Sequence, residues 1–276
     1  MPNMRHGEAL PAVVPAYFRP SARTILRENA SVVTSHGSRR NRQECWDSDI
    51  DADGLPTMLI PGFLTGDWSM STMARTLKHW NFAPARSGIR LNVDCTFSLL
   101  DGLEHRLDVL TSRYGRPVSL VGWSRGGFLG KMLAIRNPDM VSGLVTLVSP
   151  NANPLAISSV AAKQIDLLTK MHAFGMTGVM SQSCITGECA ERVLDEMQRP
   201  FPDTVPYLGI WTRADGVVDW RACLDPDAKL LEVDSTHLGI GNEPRILSIV
   251  AQQLIAMDQT GTTAPIVESV IPTQRS

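Results

Sequence analysis

No run of eighteen apolar residues occurs among the 276 residues, so no segment reads as a membrane span. The chain also lacks an excess of either charge. Its 26 Lys and Arg against 28 Asp and Glu leave a formal net charge of -2, so no global field gathers nucleic acid or anionic lipid. There is no CxxC and no paired histidine spacing. The five cysteines (Cys45, Cys95, Cys184, Cys189, Cys223) are odd in number and scattered. That pattern argues against zinc, against any other metal, and against a dense disulfide scaffold. Only Cys184 and Cys189 are near enough in sequence for a local bridge, and free thiols are expected. Internal repeats and low-complexity tracts are missing too. Met1 to Arg19 mixes charges and prolines with its apolar residues, so no signal-peptide hydrophobic region can be drawn. A soluble, cytoplasmic protein without stable membrane insertion is the expectation.

What is present is enough apolar residue, 43%, for one large core. Residues 1–55 read as a partly helical N-terminal extension. Prolines 2, 11, 15 and 20 suggest loose chain at first. Ser21 then caps a helix from Ala22 to about Thr34. The polar 35–55 stretch holds a short basic cluster, Arg39, Arg40 and Arg42, offset by the acids that follow it. Residues 56–257 alternate strand and helix: short apolar runs at Pro56–Ile60, Val118–Val121, Val141–Val148, Val205–Trp211 and Lys229–Val233, with a weak one at 82–85. Amphipathic segments lie between them, the first with Asp67 or Ser69 as its cap. Such alternation predicts an α/β fold, a mostly parallel central sheet with helices on both faces. Residues 151–203 interrupt it with helical patterns and no strand, and 258–276 read as a loose tail.

One stretch concentrates chemistry. Val118–Val121 is followed by Gly122-Trp123-Ser124-Arg125-Gly126-Gly127 and then a helical pattern. A Gly-x-Ser-x-Gly between strand and helix is the nucleophile-elbow signature, with the serine on a strained turn. A serine hydroxyl near neutral pH needs a base, and the base needs a group to hold it. His6 and His36 lie in the irregular N-terminal region, His79, His105 and His172 in helical segments. His237 alone follows a late strand in a short loop, where sites of open α/β sheets assemble. For the acid, the loop after Trp211 offers Asp215, followed directly by glycine. Asp219 suits a helix cap better, and Asp225, Asp227 and Asp234 are further candidates. Two N–H donors must also face a developing oxyanion. The residue after the serine, Arg125, supplies one, and Phe63 or Leu64, just past the bend at Pro61-Gly62, the other.

Pro61-Gly62-Phe63, the Gly122–Gly127 stretch, Asp215-Gly216-Val217-Val218 and His237 together resemble the α/β-hydrolase superfamily, over roughly Thr57 to Met257. The order Ser124, Asp215, His237 is the one such hydrolases show. Within the superfamily the chain is most similar to bacterial esterase- and lipase-like members with a Pro-Gly-Phe-Leu-x-x-Asp segment, matched by Pro61 to Asp67. The resemblance implies a Ser-Asp-His triad, no cofactor, and hydrolysis of an ester, thioester or related acyl bond. It also implies that 151–203 is a helical cap over the site. The chain departs from the pattern in having Pro61-Gly62 where His-Gly is usual, and in showing no clear opening antiparallel strands. An apolar small-molecule ester with a medium to long acyl chain is the expected partner, contacted by Phe63, Leu64, Trp123, Met171 and Phe174. The same residues could instead serve packing alone. An acyltransferase or thioesterase would use the same triad, and a catalytically silent binding protein the same fold.

Overall fold

The computed structural model describes residues 17–37 and 49–265. Cys45, His6, the Arg39–Arg42 cluster and most of the two expected loose ends lie outside the described residues. Six strands form one parallel sheet: β1 (Pro56–Ile60), β2 (Ala83–Arg86), β3 (Val118–Trp123), β4 (Val141–Leu147), β5 (Tyr207–Trp211) and β6 (Lys229–Glu232), in the order β2-β1-β3-β4-β5-β6. The chain steps from β1 outward to β2 and then returns to the other side of β1 with β3. That reversal opens a crevice between the carboxyl ends of β1 and β3, where open α/β sheets place their ligands.

Both faces of the sheet are covered, which is why its strands read as continuous apolar runs. Leu59, Val121, Val145 and Ile210 pack on one face with residues of α2 (Ser71–His79) and α8 (Pro244–Thr260). Met58, Ile60, Leu120 and Leu144 pack on the other with α3 (Thr96–Tyr114) and α4 (Arg125–Arg136). Each such side chain, fully withdrawn from water, contributes about 1.5–3 kcal/mol. Pro84 lacks a ladder N–H and sits in β2, at the sheet's edge. Asp67 and Ser69 do not cap α2. Asp67 instead accepts from the Ser87 and Gly88 N–H groups (both 3.0 Å) and from Ser87 Oγ, securing the loop after β2. α8 ends at Thr260, three residues into the stretch expected as loose tail, with Gly261 at φ 66° closing it.

Residues 151–203 hold α5 (Ser159–Ala173), the short α6 (Ser183–Thr186) and α7 (Glu188–Met197), and no strand. Ser158 caps α5 by accepting the Ala161 N–H. This insertion is tied to the sheet layer by Met180 N–H to Val93 O (2.8 Å) and by Arg136 of α4, which pairs with Glu196 of α7 and Glu104 of α3. Ahead of the sheet, α1 (Ala22–Gly37) begins where Ser21 Oγ accepts the Thr24 N–H at 3.1 Å. No helix of the described residues is long and apolar enough to cross a membrane.

Candidate active site

Ser124 forms the turn between β3 and α4 at φ 56°, a left-handed conformation that costs a non-glycine residue of order 1–3 kcal/mol. Leu64 (φ 59°) and Val148 (φ 46°) are strained in the same sense just past β1 and β4, while Asp53 and Asn81, residue types that tolerate a positive φ, adopt it ahead of β1 and β2. The glycines around Ser124 are required by crowding. A Cβ on Gly122 would lie 2.3 Å from Gly127 Cα, and one on Gly126 would lie 2.2 Å from Ile60 O. β3, α4 and the end of β1 therefore touch backbone to backbone at this corner.

His237 and Asp215 are both buried, and His237 Nδ1 lies 2.7 Å from Asp215 Oδ2. The other carboxylate oxygen accepts the N–H groups of Val217 (2.8 Å) and Val218 (2.7 Å), so Asp215 is fixed on both sides. An Nδ1–H donated to Asp215 leaves Nε2 as the free lone pair. Burial by itself lowers the His237 pKa; the charge and hydrogen bond of Asp215, with the charge of Glu28, outweigh it and hold the pKa above the ordinary imidazole value. The other aspartates are engaged elsewhere. Asp219 caps the turn Trp220–Cys223, Asp225 and Asp227 hold the buried Lys131 Nζ at 2.7 and 2.9 Å, and Asp234 pairs with Arg27.

Ser124 and His237 share the wall of a cavity of about 660 Å³ with Gly62, Phe63, Leu64 and Trp123. Among the described residues no hydrogen bond joins Ser124 to His237 in this conformation; catalytic contacts of this kind commonly tighten only around substrate. A second, narrower lobe of about 110 Å³ opens from Ser124 toward the insertion, between Phe63, Leu155, Ile157, Ile165 and Met180. The N–H groups of Phe63 and Arg125 have no hydrogen-bond partner among the described residues, whereas the Leu64 N–H is spent on Asn92 O at 3.2 Å. Of the two donors open at the end of β1, only Phe63 is left.

Met171 and Phe174, expected at the substrate, line neither lobe. Met171 packs against an apolar cluster in which insertion residues meet Val93, Phe63 and Leu64, and Phe174 follows the last turn of α5 with 92% of its surface exposed. Helical spacing predicts which residues share a face, not what that face meets. Trp123 lines the larger lobe and also donates its Nε1–H to His237 O at 3.0 Å.

Three supporting side chains carried no signal in the sequence. Glu28 of α1 is buried, and its carboxylate accepts three backbone N–H groups, those of Gly216, His237 and Leu238, each at 2.9 Å. One side chain thus clamps the loop after Asp215 to the loop of His237. Asn92, fully buried, donates to Pro61 O (2.8 Å) and accepts from Arg125 Nη1 (2.8 Å). The Arg125 guanidinium further donates to Asp94 O (2.7 Å) and Thr96 Oγ1 (3.4 Å). Desolvation lowers it to about 10, and nearby Cys184, Cys95, Asp94 and Cys189 pull the other way. The nearest available trace of Glu28 in the sequence is Gly216, since a Cβ there would lie 3.0 Å from Glu28 Cγ.

No protein-family model matches the chain, and no curated protein matches it. Solved structures do. The mature form of a Bacillus licheniformis lipase superposes with a TM-score of 0.53 at 17% identity, over 75% of this chain and 94% of that one. A Paleococcus ferrophilus monoacylglycerol lipase gives 0.50 at 15% identity, over 74% and 96%. A Mycobacterium tuberculosis protein assigned as a non-heme bromoperoxidase gives 0.50 at 14%, over 76% and 95%. At these identities the likeness is one of architecture: the chain has the α/β-hydrolase fold.

Proposed function

We propose that this α/β-hydrolase-fold chain cleaves carboxylic esters of small apolar acids through an acyl-enzyme on Ser124. The observation that carries the reading is a convergence. A strained serine, a carboxylate-paired imidazole and two unpartnered N–H groups belong to one crevice, on loops that follow four different strands. In this reading Ser124 Oγ attacks the ester carbonyl while His237 Nε2 takes its proton, and Asp215 holds the imidazole and the positive charge it gains. The N–H groups of Phe63 and Arg125 receive the oxyanion; one such donor is typically worth about 3–4 kcal/mol of barrier. His237 returns the proton to the departing alcohol, water attacks the acyl-serine by the same route, and the acid leaves.

The two lobes divide the substrate. The acyl group goes into the apolar lobe of about 110 Å³ under the insertion, which acts as a cap, and the alcohol into the lobe of about 660 Å³. A dry cavity of about 150 Å³ accommodates benzene, so the smaller lobe suits acyl chains of a few carbons. The breadth of the other lobe gives water a route to the buried Ser124, which favours hydrolysis over transfer to a second acceptor. A p-nitrophenyl ester series from acetate to palmitate tests both halves. Activity is expected to be highest among the short esters and to fall by about 10⁴-fold or more in Ser124→Ala. Equal turnover by the two proteins would remove the serine from the chemistry; a maximum at palmitate would remove the acyl lobe.

A further inference from the structure

Three cysteines, Cys95 distant in sequence from Cys184 and Cys189, meet beside this crevice. Cys95 immediately precedes α3 in the sheet layer, while Cys184 lies in α6 and Cys189 in α7, both in the insertion. Their sulfurs all lie within 4.8 Å of one another, and Cys95 Sγ is 3.6 Å from Cys189 Sγ. All three are free thiols and only partly buried, so a solute can reach them. The lack of any metal-ligand spacing along the chain is thus a property of the sequence and not of the fold. Folding brings together the donor set that spacing argued against.

The separations suit a cation more than a bond between two of the sulfurs. A metal bound by thiolates at about 2.3 Å in a tetrahedral arrangement spaces its sulfurs about 3.8 Å apart. The trio already stands near that spacing. A disulfide needs sulfurs at about 2.05 Å and would leave the third thiol unused. Thiolate ligands select soft or borderline ions such as Zn²⁺ over Mg²⁺ or Ca²⁺. Charge is provided for as well. Three thiolates around a divalent ion carry a net charge of -1, and the Arg125 guanidinium lies near enough to interact with all three sulfurs. Its own hydrogen bonds go to an amide oxygen, a backbone carbonyl and a hydroxyl, so no carboxylate is hydrogen-bonded to it among the described residues.

We propose that Cys95, Cys184 and Cys189 form a thiolate site for a d¹⁰ divalent cation of the Zn²⁺ class, which fastens the insertion to the sheet layer beside Ser124. Binding is redox-neutral. The ion replaces three S–H protons, which leave to solvent, and water or Ser181 Oγ, 3.5 Å from Cys184 Sγ, completes the fourth position. Because Cys184 also lines the acyl lobe, an occupied site fixes that wall. The inference stands on the cluster itself and not on the proposed esterase activity.

The test titrates reduced full-length protein with Cd²⁺ and follows the ultraviolet thiolate-to-metal charge-transfer band. One equivalent per chain is expected, displaced by Zn²⁺ and not by Mg²⁺, with a rise in melting temperature. Cys95→Ser, Cys184→Ser and Cys189→Ser should each weaken binding by roughly tenfold or more, and Cys45→Ser should leave it unchanged. Two results would overturn the site: a wild-type titration without a stoichiometric endpoint, or an endpoint that survives all three substitutions. The wild-type titration decides the matter even if a variant folds poorly, and neither readout depends on ester turnover.

Discussion

The two halves of the site are held by different forces. On the serine side, β3, α4 and the end of β1 meet where only glycine fits, and backbone contact fixes the turn. On the histidine side the loops of Asp215 and His237 are held from outside the sheet, by a carboxylate on α1 that gathers three N–H groups. Steric crowding is insensitive to charge and leaves a sequence motif. An electrostatic clamp depends on charge, reaches across the chain, and leaves almost no motif. The same local rigidity is reached by two routes, only one of which can be read before folding.

Gly126→Ala attacks the first half most directly. Its Cβ would fall 2.2 Å from Ile60 O and 2.6 Å from Pro61 O, both backbone atoms with nowhere to go. A loss of roughly 3 kcal/mol or more is expected, read as a lower urea midpoint; an unchanged midpoint would mean that crowding does not set this corner. Glu28 is the corresponding point in the second half. Glu28→Ala strands buried N–H groups at about 1–3 kcal/mol each and should lower kcat by roughly ten- to a hundredfold. Glu28→Gln is the sharper probe. Glu28's charge helps raise the His237 pKa, so neutralising it should make the imidazolium easier to deprotonate. The acidic limb of kcat/KM, expected above the ordinary imidazole range in the wild type, should then move to lower pH. An unmoved limb would reduce Glu28 to packing. The smallest effect belongs to the bond that joins the halves. Trp123→Phe loses the donor to His237 O and part of a ring, which should cost about 1–2 kcal/mol and less than about tenfold in kcat.

The same contrast explains what the sequence disclosed. Buried parallel strands announce themselves as apolar runs, and Ser21 as a cap, because both are local consequences of residue type. The Gly122–Gly127 stretch was legible because its crowding is local too. Asp215 and His237 could be found from their position after strands, and their pairing at 2.7 Å is a matter of the loops' shape. Asn92 and Glu28 could not be found, since nothing near either residue marks the loop it serves. The cysteine trio was hidden for the same reason, with Cys95 and Cys189 standing 94 positions apart. Met171 and Phe174 line neither lobe: Met171 lies near the end of α5, which closes at Ala173, and Phe174 lies just beyond it, a placement that apolar character alone does not fix.

The clamp also has a consequence for the order in which the protein comes into being. α1 leaves the ribosome early, but the N–H groups it must receive belong to residues 188, 209 and 210 positions further on. At about 5–20 residues per second the helix waits roughly 10–40 s for its counterpart. Contacts of such long range close late in folding. The sheet and its serine corner can form from the chain already made, while the histidine loop stays unclamped until nearly all of it has emerged. A nascent chain halted before His237 would carry Ser124 without the imidazole proposed as its base.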